Sequence, residues 1–468
     1  MSSKANIAYY RVDLKLESAL SIGSAESVLT DVDVVLDSRG LPLIPATSLA
    51  GVYRSFFAEA DARDFFGKLV EDGGELTQSV VRVYDASWMP TIAGEVSNQS
   101  VSIRDNVSLG EVNKVAKTGL KFDRQVVERG ALFRTYIEVS DCTLRSQDGV
   151  SICECLEQML SALNEGSLAL GAKTTRGLGK VSVRSCLLRS FDLADPGQMD
   201  AWLDFHLFDG AAWSGEVAGA VSLQRHAGND LVLALDLTQR GAASIREYAT
   251  APGRPDFEQL HIRDTREGMG TIREIEVPVI PGSSWAGAFR NRYRTIAGEK
   301  ATRWLFGDVW QEGGKTVTRM SRIEFSETEL TGGGWKEITR NSIDRFTGGT
   351  KDGALFKLRT YYGGRARLEI RIRCKDDELS DELLAPLLAC IADLHNGLLA
   401  VGGLTAVGHG MFRIDNATCA VGGIPLTGFD CKAGILGTGE FAEPDMAGIA
   451  RLLVRAVNDQ REGEASHE

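Results

Sequence analysis

Three carboxylates, Asp31, Asp33 and Asp37, stand at odd positions in the stretch ESVLTDVDVVLDSRG (26–40). Period-two spacing places them on one face of an extended strand. Carboxylates beside a phosphate-binding surface are what metal-assisted or acid–base cleavage of a phosphodiester requires. A solvated strand face gives the same pattern, and the spacing does not separate the two.

Groups suited to phosphate lie elsewhere in the chain. The loop LGAKTTRGLGK (170–180) brings Lys173, Thr174, Thr175 and Arg176 together between glycines. It offers backbone N–H groups, hydroxyls and two cations, the means of phosphate contact. It lacks the G-x4-G-K-[ST] spacing, and no G-x-G-x-x-G follows an opening strand, so nucleotide hydrolysis has little support. A glycine turn that merely closes a strand is the plainer alternative. Ser48 and Arg54 follow a proline turn in IPATSLAGVYR (44–54), as Ser283, Ser284 and Arg290 do in IPGSSWAGAFR (280–290). Each serine is placed to cap a helix whose free N–H groups attract phosphate, against the alternative of an ordinary solvated helix.

These elements occur twice. Downstream of the proline turns come Phe66-Gly67 and Phe306-Gly307, then strand-like runs led by Arg82 and Arg322. IRDNVSL (103–109) answers TRNSIDR (339–345), which holds Arg340 and Arg345, and each precedes a basic stretch and a strand, 132–139 or 366–373. NEGSLALGAKTTRGLGKVSV (164–183) aligns without a gap on HNGLLAVGGLTAVGHGMFRI (395–414). The second glycine loop has no cation apart from His409, so phosphate contact there must lean on backbone amides. Two copies of one domain account for this order.

The elements that position these residues read as strand, helix, strands, helix, strand. Alternation at Tyr10–Leu16 and Leu231–Leu237 marks half-buried opening strands, and helices ending at Gly166 and Gly397 precede the glycine loops. The expected fold is α+β: two tandem ferredoxin-like (modified RNA-recognition-motif) domains with mainly antiparallel sheets. Residues 1–195 form the first domain, 196–228 a linker, 229–425 the second domain, and 426–468 a tail. In the tail, Pro444 is expected at the first position of a helix with Ile449, Leu452, Leu453 and Val457 on one side. The second copy has a longer loop before its proline turn, which supplies Asp256 and Asp264 without a clear counterpart of Asp31.

Bulk properties narrow the options. The net charge of −12 argues against nucleic acid coating the whole surface but allows a local basic track. The eight cysteines show no zinc spacing, so buried free thiols are expected. No segment approaches a membrane span and no basic-then-apolar leader opens the chain, so a cytoplasmic location is expected.

The IP-[AG]-[ST]-S-x-x-G-x-x-R stretch, the Phe-Gly pair with its Arg-led strand, IDRFTGGT (343–350) and the closing glycine loop together resemble the RAMP superfamily of CRISPR-associated proteins. The resemblance covers most of both copies and is closest to the repeat-forming backbone subunit of type III effector complexes. Two copies in one chain resemble the fused backbone subunits of type III-D and related subtypes. It implies a guide-RNA-binding core with a thumb-like hairpin, working with target RNA and other effector subunits. It further implies cleavage of target RNA needing a divalent metal, Mg²⁺ or Mn²⁺, with the family's aspartate falling on Asp31, which would also bind the metal, and Asp33 a close second. Asp256 is the candidate in the second copy. Arg345 matches the thumb region, whereas NVSLGEVNKVAKTG (106–119) in the first copy lacks the Arg-Phe-Thr. The alternatives are a non-catalytic guide-binding subunit, a metal-independent endoribonuclease that processes guide precursors, and a duplicated scaffold without nucleic acid.

Overall fold

The computed structural model describes residues 6–24, 29–67, 78–109, 116–214, 218–224, 229–247, 254–268, 271–374, 379–427, 430–437 and 443–465. The first repeat contains β1 (Asn6–Leu16), α1 (Ala46–Phe56), α2 (Glu59–Phe66), β2 (Val101–Leu109), β3 (Ala116–Val127), β4 (Leu132–Val139), α3 (Ile152–Asn164) and β5 (Val181–Asp192). After α4 (Pro196–Leu203), the second repeat runs through β6 (Leu231–Arg240), β7 (His261–Gly268), β8 (Thr271–Ile280), α5 (Gly282–Phe306), β9 (Gly334–Ile343), β10 (Thr350–Tyr362), β11 (Arg365–Ile372), α6 (Asp381–Asn396) and β12 (Met411–Val421). Helices α7 (Cys431–Leu436) and α8 (Met446–Ala465) follow.

Alternation in the opening strands does what period two predicts. Ala8, Tyr10, Val12, Leu14 and Leu16 of β1, and Leu231, Leu233, Leu235 and Leu237 of β6, are buried under the helices. Strand β1 lies antiparallel between β4 and β5 in a seven-stranded sheet. Likewise β6 lies antiparallel between β11 and β12 in a five-stranded sheet. Both central strands carry a bulge at the same place, between Asp13 and Leu14 and between Asp236 and Leu237. The aspartate before each bulge pairs with an arginine of the neighbouring strand, Asp13 with Arg134 and Asp236 with Arg367. Shared irregularities of this kind extend the duplication from sequence to backbone geometry. The fold is α+β with several antiparallel sheets.

Several details differ from expectation. Proline, not serine, stands at the helix starts: Pro45 and Pro281 occupy the N-cap with φ −60° and −61°, and no side chain caps either helix. Ser48, Ser283 and Ser284 fall inside the first turn, because the proline ring already fixes the chain's entry angle. In the tail, α8 starts at Met446 rather than Pro444, with Asp445 accepting from the Gly448 N–H. Ile449, Leu453 and Val457 are buried there, but Leu452 faces solvent.

The segment between the repeats is not a bare tether. Trp202, Phe205 and Trp213 pack with Tyr9 and Phe191 on the outer face of the first sheet, and Gly219–Ala220 adds a strand beside β5. The extra length of the second repeat's loop is the β7–β8 hairpin, which reaches the first repeat through Asp264–Arg129. All eight cysteines are free thiols, six of them buried. Among the described residues, no helix is long and apolar enough to cross a membrane.

Glycine is required where each closing loop turns back. A Cβ on Gly179 would lie 1.8 Å from the Leu170 carbonyl oxygen, and one on Gly410 would lie 2.0 Å from that of Val401. Both residues also sit at positive φ, 78° and 76°. By contrast, a methyl group added to Gly51, inside α1, would meet no atom within 4 Å. Gly179→Ala is therefore expected to lower stability by more than about 1–3 kcal/mol, and Gly51→Ala to raise it by about 0.5–1 kcal/mol. Urea denaturation of the two variants checks both signs.

Candidate nucleic-acid interface

The two carboxylate loops superpose by their hydrogen bonds. In the first repeat, Val35 N–H donates to Ile22 O, and Leu43 N–H donates to Val35 O. In the second, Leu260 N–H donates to Ile245 O, and Val279 N–H donates to Leu260 O. Counting back from Val35 and Leu260, Asp31 matches Asp256. Each carboxylate accepts from one amide on the long hairpin strand: Asp31 from Asp123 N–H on β3 at 3.0 Å, Asp256 from Lys357 N–H on β10 at 2.7 Å. The second repeat therefore does have a counterpart of Asp31. The inserted hairpin, which carries Asp264 away into the contact with Arg129, is what hid it in sequence.

The two loops differ in what surrounds these carboxylates. Asp31 N–H donates in return to Asp123 Oδ1 at 2.9 Å, so a second carboxylate, from β3, stands beside the first loop. Lys357 takes the place of Asp123 in the second. Asp33 is 8% exposed, and its carboxylate accepts from Leu29 N–H, Thr30 N–H and Thr30 Oγ1, which makes it an internal staple of the loop. Its counterpart Glu258, 4% exposed, accepts from Arg254 and Arg359. Asp37 accepts from Leu41 N–H and from Arg39, which hold its carboxyl below the usual range and fix the turn.

The first glycine loop is seated against the second repeat. Lys173 turns the chain at φ 61°, and Thr174–Arg176 forms a single 3₁₀ turn. Gly282, the first residue of α5, lies so close that a Cβ would meet Phe325 O at 2.1 Å and Arg176 O at 2.3 Å. Ion pairs and hydrogen bonds flank this contact: Lys180–Glu324 at 3.1 Å, Arg129–Asp264 at 3.0 Å, and Asn98 Nδ2 donating to Arg263 O at 3.0 Å. Arg371 donates to Glu165 O and to Ser167 Oγ.

Cations accumulate along this seam. Burial, with the neighbouring charges of Arg124 and Arg176, pulls the Lys173 ammonium below the ordinary lysine range. Burial and then Arg290 of the second repeat do the same to Arg176, and burial to Arg124. Lys173 and Arg124 both lie over the Phe122 ring, each 5.5 Å from its centroid. Among the described residues no carboxylate pairs with Arg124, Lys173 or Arg176; Arg290 has Asp308 at 3.3 Å. Like charges gathered in a half-buried place repel one another unless an anion joins them.

A second cluster lies at the corresponding loop of the second repeat. Leu404 and Val407 stand where Lys173 and Arg176 do, but His409, Arg340 of β9 and Arg246 converge there instead. The cations missing from that loop thus arrive from other strands. Sequence reasoning misses Arg246 and Arg124. Arg124 lies in the basic stretch KFDRQVVERG, which was the available signal, whereas Arg246 aligns with Gly23 and left none.

Other candidates sit elsewhere. The Arg54 guanidinium donates to Ala62 O and Gly67 O, tying α1 to the end of α2. The first amide of α1, at Ala46, is taken by Asp85 at 2.6 Å, and Gly282 at the start of α5 packs against Arg176 O and Phe325 O. Thr174 and Thr175 lie in the seated turn. Arg345 is exposed at the tip of the β9–β10 hairpin beside Phe346, 93% exposed. The matching tip of the first hairpin, 110–115, lies outside the described residues.

The fold and the shared seam define a duplicated antiparallel α+β protein with paired basic clusters and paired carboxylate loops. The sequence profile of the RAMP superfamily matches residues 13–182 and 260–413, one region in each repeat and together more than half of the chain. The chain belongs to the RAMP superfamily, and with it to the CRISPR-associated RNA-binding subunits. No curated relative matches it.

Repulsion within the seam has a measurable consequence. Lys173→Met is expected to raise the melting temperature of the RNA-free protein at low salt, and the gain should shrink as salt screens the remaining charges. A lower melting temperature at low salt would show that Lys173 is compensated.

Proposed function

We propose that this chain is a fused backbone subunit of a type III CRISPR effector complex, of the type III-D-like kind. Its two ferredoxin-like cores hold successive segments of guide RNA, and the β2–β3 and β9–β10 hairpins act as thumbs. The observation that carries this reading is the cationic seam, drawn from both repeats, in which Arg124, Lys173 and Arg176 face no carboxylate among the described residues. A polyanion crossing the seam would relieve the repulsion of several cations at once. Phosphate contacts of this sort hold a backbone without reading sequence, leaving recognition to base pairing.

We further propose that target RNA paired to the guide is cut at the Asp31 loop in a reaction needing Mg²⁺ or Mn²⁺. Asp31 on the loop and Asp123 on the adjoining strand β3 are hard oxygen donors side by side and suit such an ion. No group of three or more metal-binding side chains occurs among the described residues, so the ion would take its remaining ligands from water and RNA phosphates. When bound, the ion would polarise the phosphodiester and lower the pKa of an attacking oxygen. The protein's part is to fix the Asp31 carboxylate through the Asp123 amide and to hold the RNA backbone still beside it. In the second repeat Lys357 replaces Asp123, which favours an RNA-holding role for the Asp256 loop over a cutting one.

The test is filter binding and cleavage mapping on the assembled complex. Affinity for single-stranded RNA should fall steeply with salt, and Lys173→Ala with Arg176→Ala should reduce the slope by roughly 0.7 per lost phosphate contact. Asp31→Ala should abolish one cut without loss of binding, EDTA should abolish cutting, and Asp256→Ala should leave that cut intact. Unchanged cutting after Asp31→Ala would remove the catalytic assignment, and salt-insensitive binding would remove the RNA-holding one.

A further inference from the structure

The basic cluster of the second repeat is not a copy of the first, because one member is a histidine. His409 is only 5% exposed, and its ring Nδ1 has no hydrogen-bond partner. Its Nε2 lies 3.5 Å from the Arg340 guanidinium. Leu178 stands at the matching position of the first repeat, fixed by the shared bonds from Leu178 N–H to Lys173 O and from His409 N–H to Leu404 O. At the edge of the same loop Gly403 N–H donates to Ser244 O, as Ala172 N–H does to Ser21 O in the first repeat. Ser244 is buried and its Oγ has no partner, whereas the matching Ser21 Oγ accepts from Arg124. The second repeat has Leu358 in place of Arg124, so the Ser244 hydroxyl lacks the donor that Ser21 has in the first repeat.

We infer that Arg246, Arg340 and His409 form a phosphate site whose occupation draws one proton onto the His409 ring. This rests on the RNA-binding reading above and adds a proton linkage to it. The charged groups that bear on the ring among the described residues are Arg340 on β9 and Arg246 beside the loop; no carboxylate offsets them. Burial and these two cations hold the imidazole below its ordinary value in the free protein. A phosphate oxygen between the guanidinium groups would neutralise them and accept from the ring, which restores the protonated form. Binding at this site then strengthens as pH falls through the ordinary imidazole range, about 6.5. The first repeat, built from Arg and Lys, has no such dependence there. Free phosphate and RNA backbone share this chemistry.

Histidine-selective ¹³C NMR of the full chain tests the proposal, with Gln substitution of His409 to assign its signal among the six histidines. Titrations are run on protein alone, with inorganic pyrophosphate and with a short oligouridylate. The His409 ring is expected to titrate below the ordinary imidazole value in free protein and to move upward with ligand. Movement with oligouridylate alone assigns the site to a polynucleotide backbone, and movement with both assigns it to phosphate in general. A ring pKa that stays unmoved while the same sample binds oligouridylate overturns the proton linkage and leaves the RNA reading standing. Failure of oligouridylate to bind at all sinks the RNA reading, and pyrophosphate then decides the site by itself. Affinity of the native chain should steepen toward at most about tenfold per pH unit, the limit for one linked proton, and His409→Gln should flatten it. Arg340→Ala should raise the ring pKa in free protein and shrink the shift on binding; no change in either would remove Arg340 from the site.

Discussion

The close seating of the first glycine loop on the start of α5 is the contact on which the rest of the arrangement depends. Arg176 O, Phe325 O and Gly282 meet at distances that leave no room for a side chain on Gly282. That meeting brings Arg176 beside Arg290 and sets the cations of one repeat against those of the next. The flanking ion pairs Lys180–Glu324 and Arg129–Asp264 anchor the two sheets on either side of it. Half-buried cations cost stability in the free protein, which is the expected state of a surface shaped for a partner of opposite sign.

The two repeats keep one backbone plan and diverge in the side chains of the glycine-loop clusters and carboxylate loops. The bulges at Asp13 and Asp236, the loop bonds around Val35 and Leu260, and the closures at Gly179 and Gly410 are shared. Arg124, Lys173 and Asp123 are replaced by Leu358, Leu404 and Lys357. The second repeat recovers positive charge from Arg246 and Arg340, which approach the loop from different strands. Equal folds with unequal chemistry leave the chain with two basic clusters of different make-up.

Much of the fold was legible because duplication exposes it. Opening strands, helices ended by Gly166 and Gly397, and the closing loops each appear twice, the loops with their glycines in register. The site was harder to see. Asp256 was obscured by the β7–β8 insertion, which shifts the alignment just past it, and only hydrogen bonds to the long hairpin strand restore the match. Arg246 has no repeated partner, and strand pairing rather than spacing carries it to His409. Ser48 and Ser284 follow a common capping pattern, yet proline at the N-cap leaves their hydroxyls without that role. The charge pattern of Asp33 and Asp37 did not reveal that both carboxylates are consumed by their own loops.

The β7–β8 hairpin gives the chain a direction. It belongs to the second repeat alone and grips the first through Asp264 and the Arg263 carbonyl. A circularly rearranged gene with the halves exchanged would keep both sides of this clasp, Asp264 with Arg129 and the Arg263 carbonyl with Asn98. The placement of the halves is thus written into the tertiary structure and does not rest on the peptide connection alone.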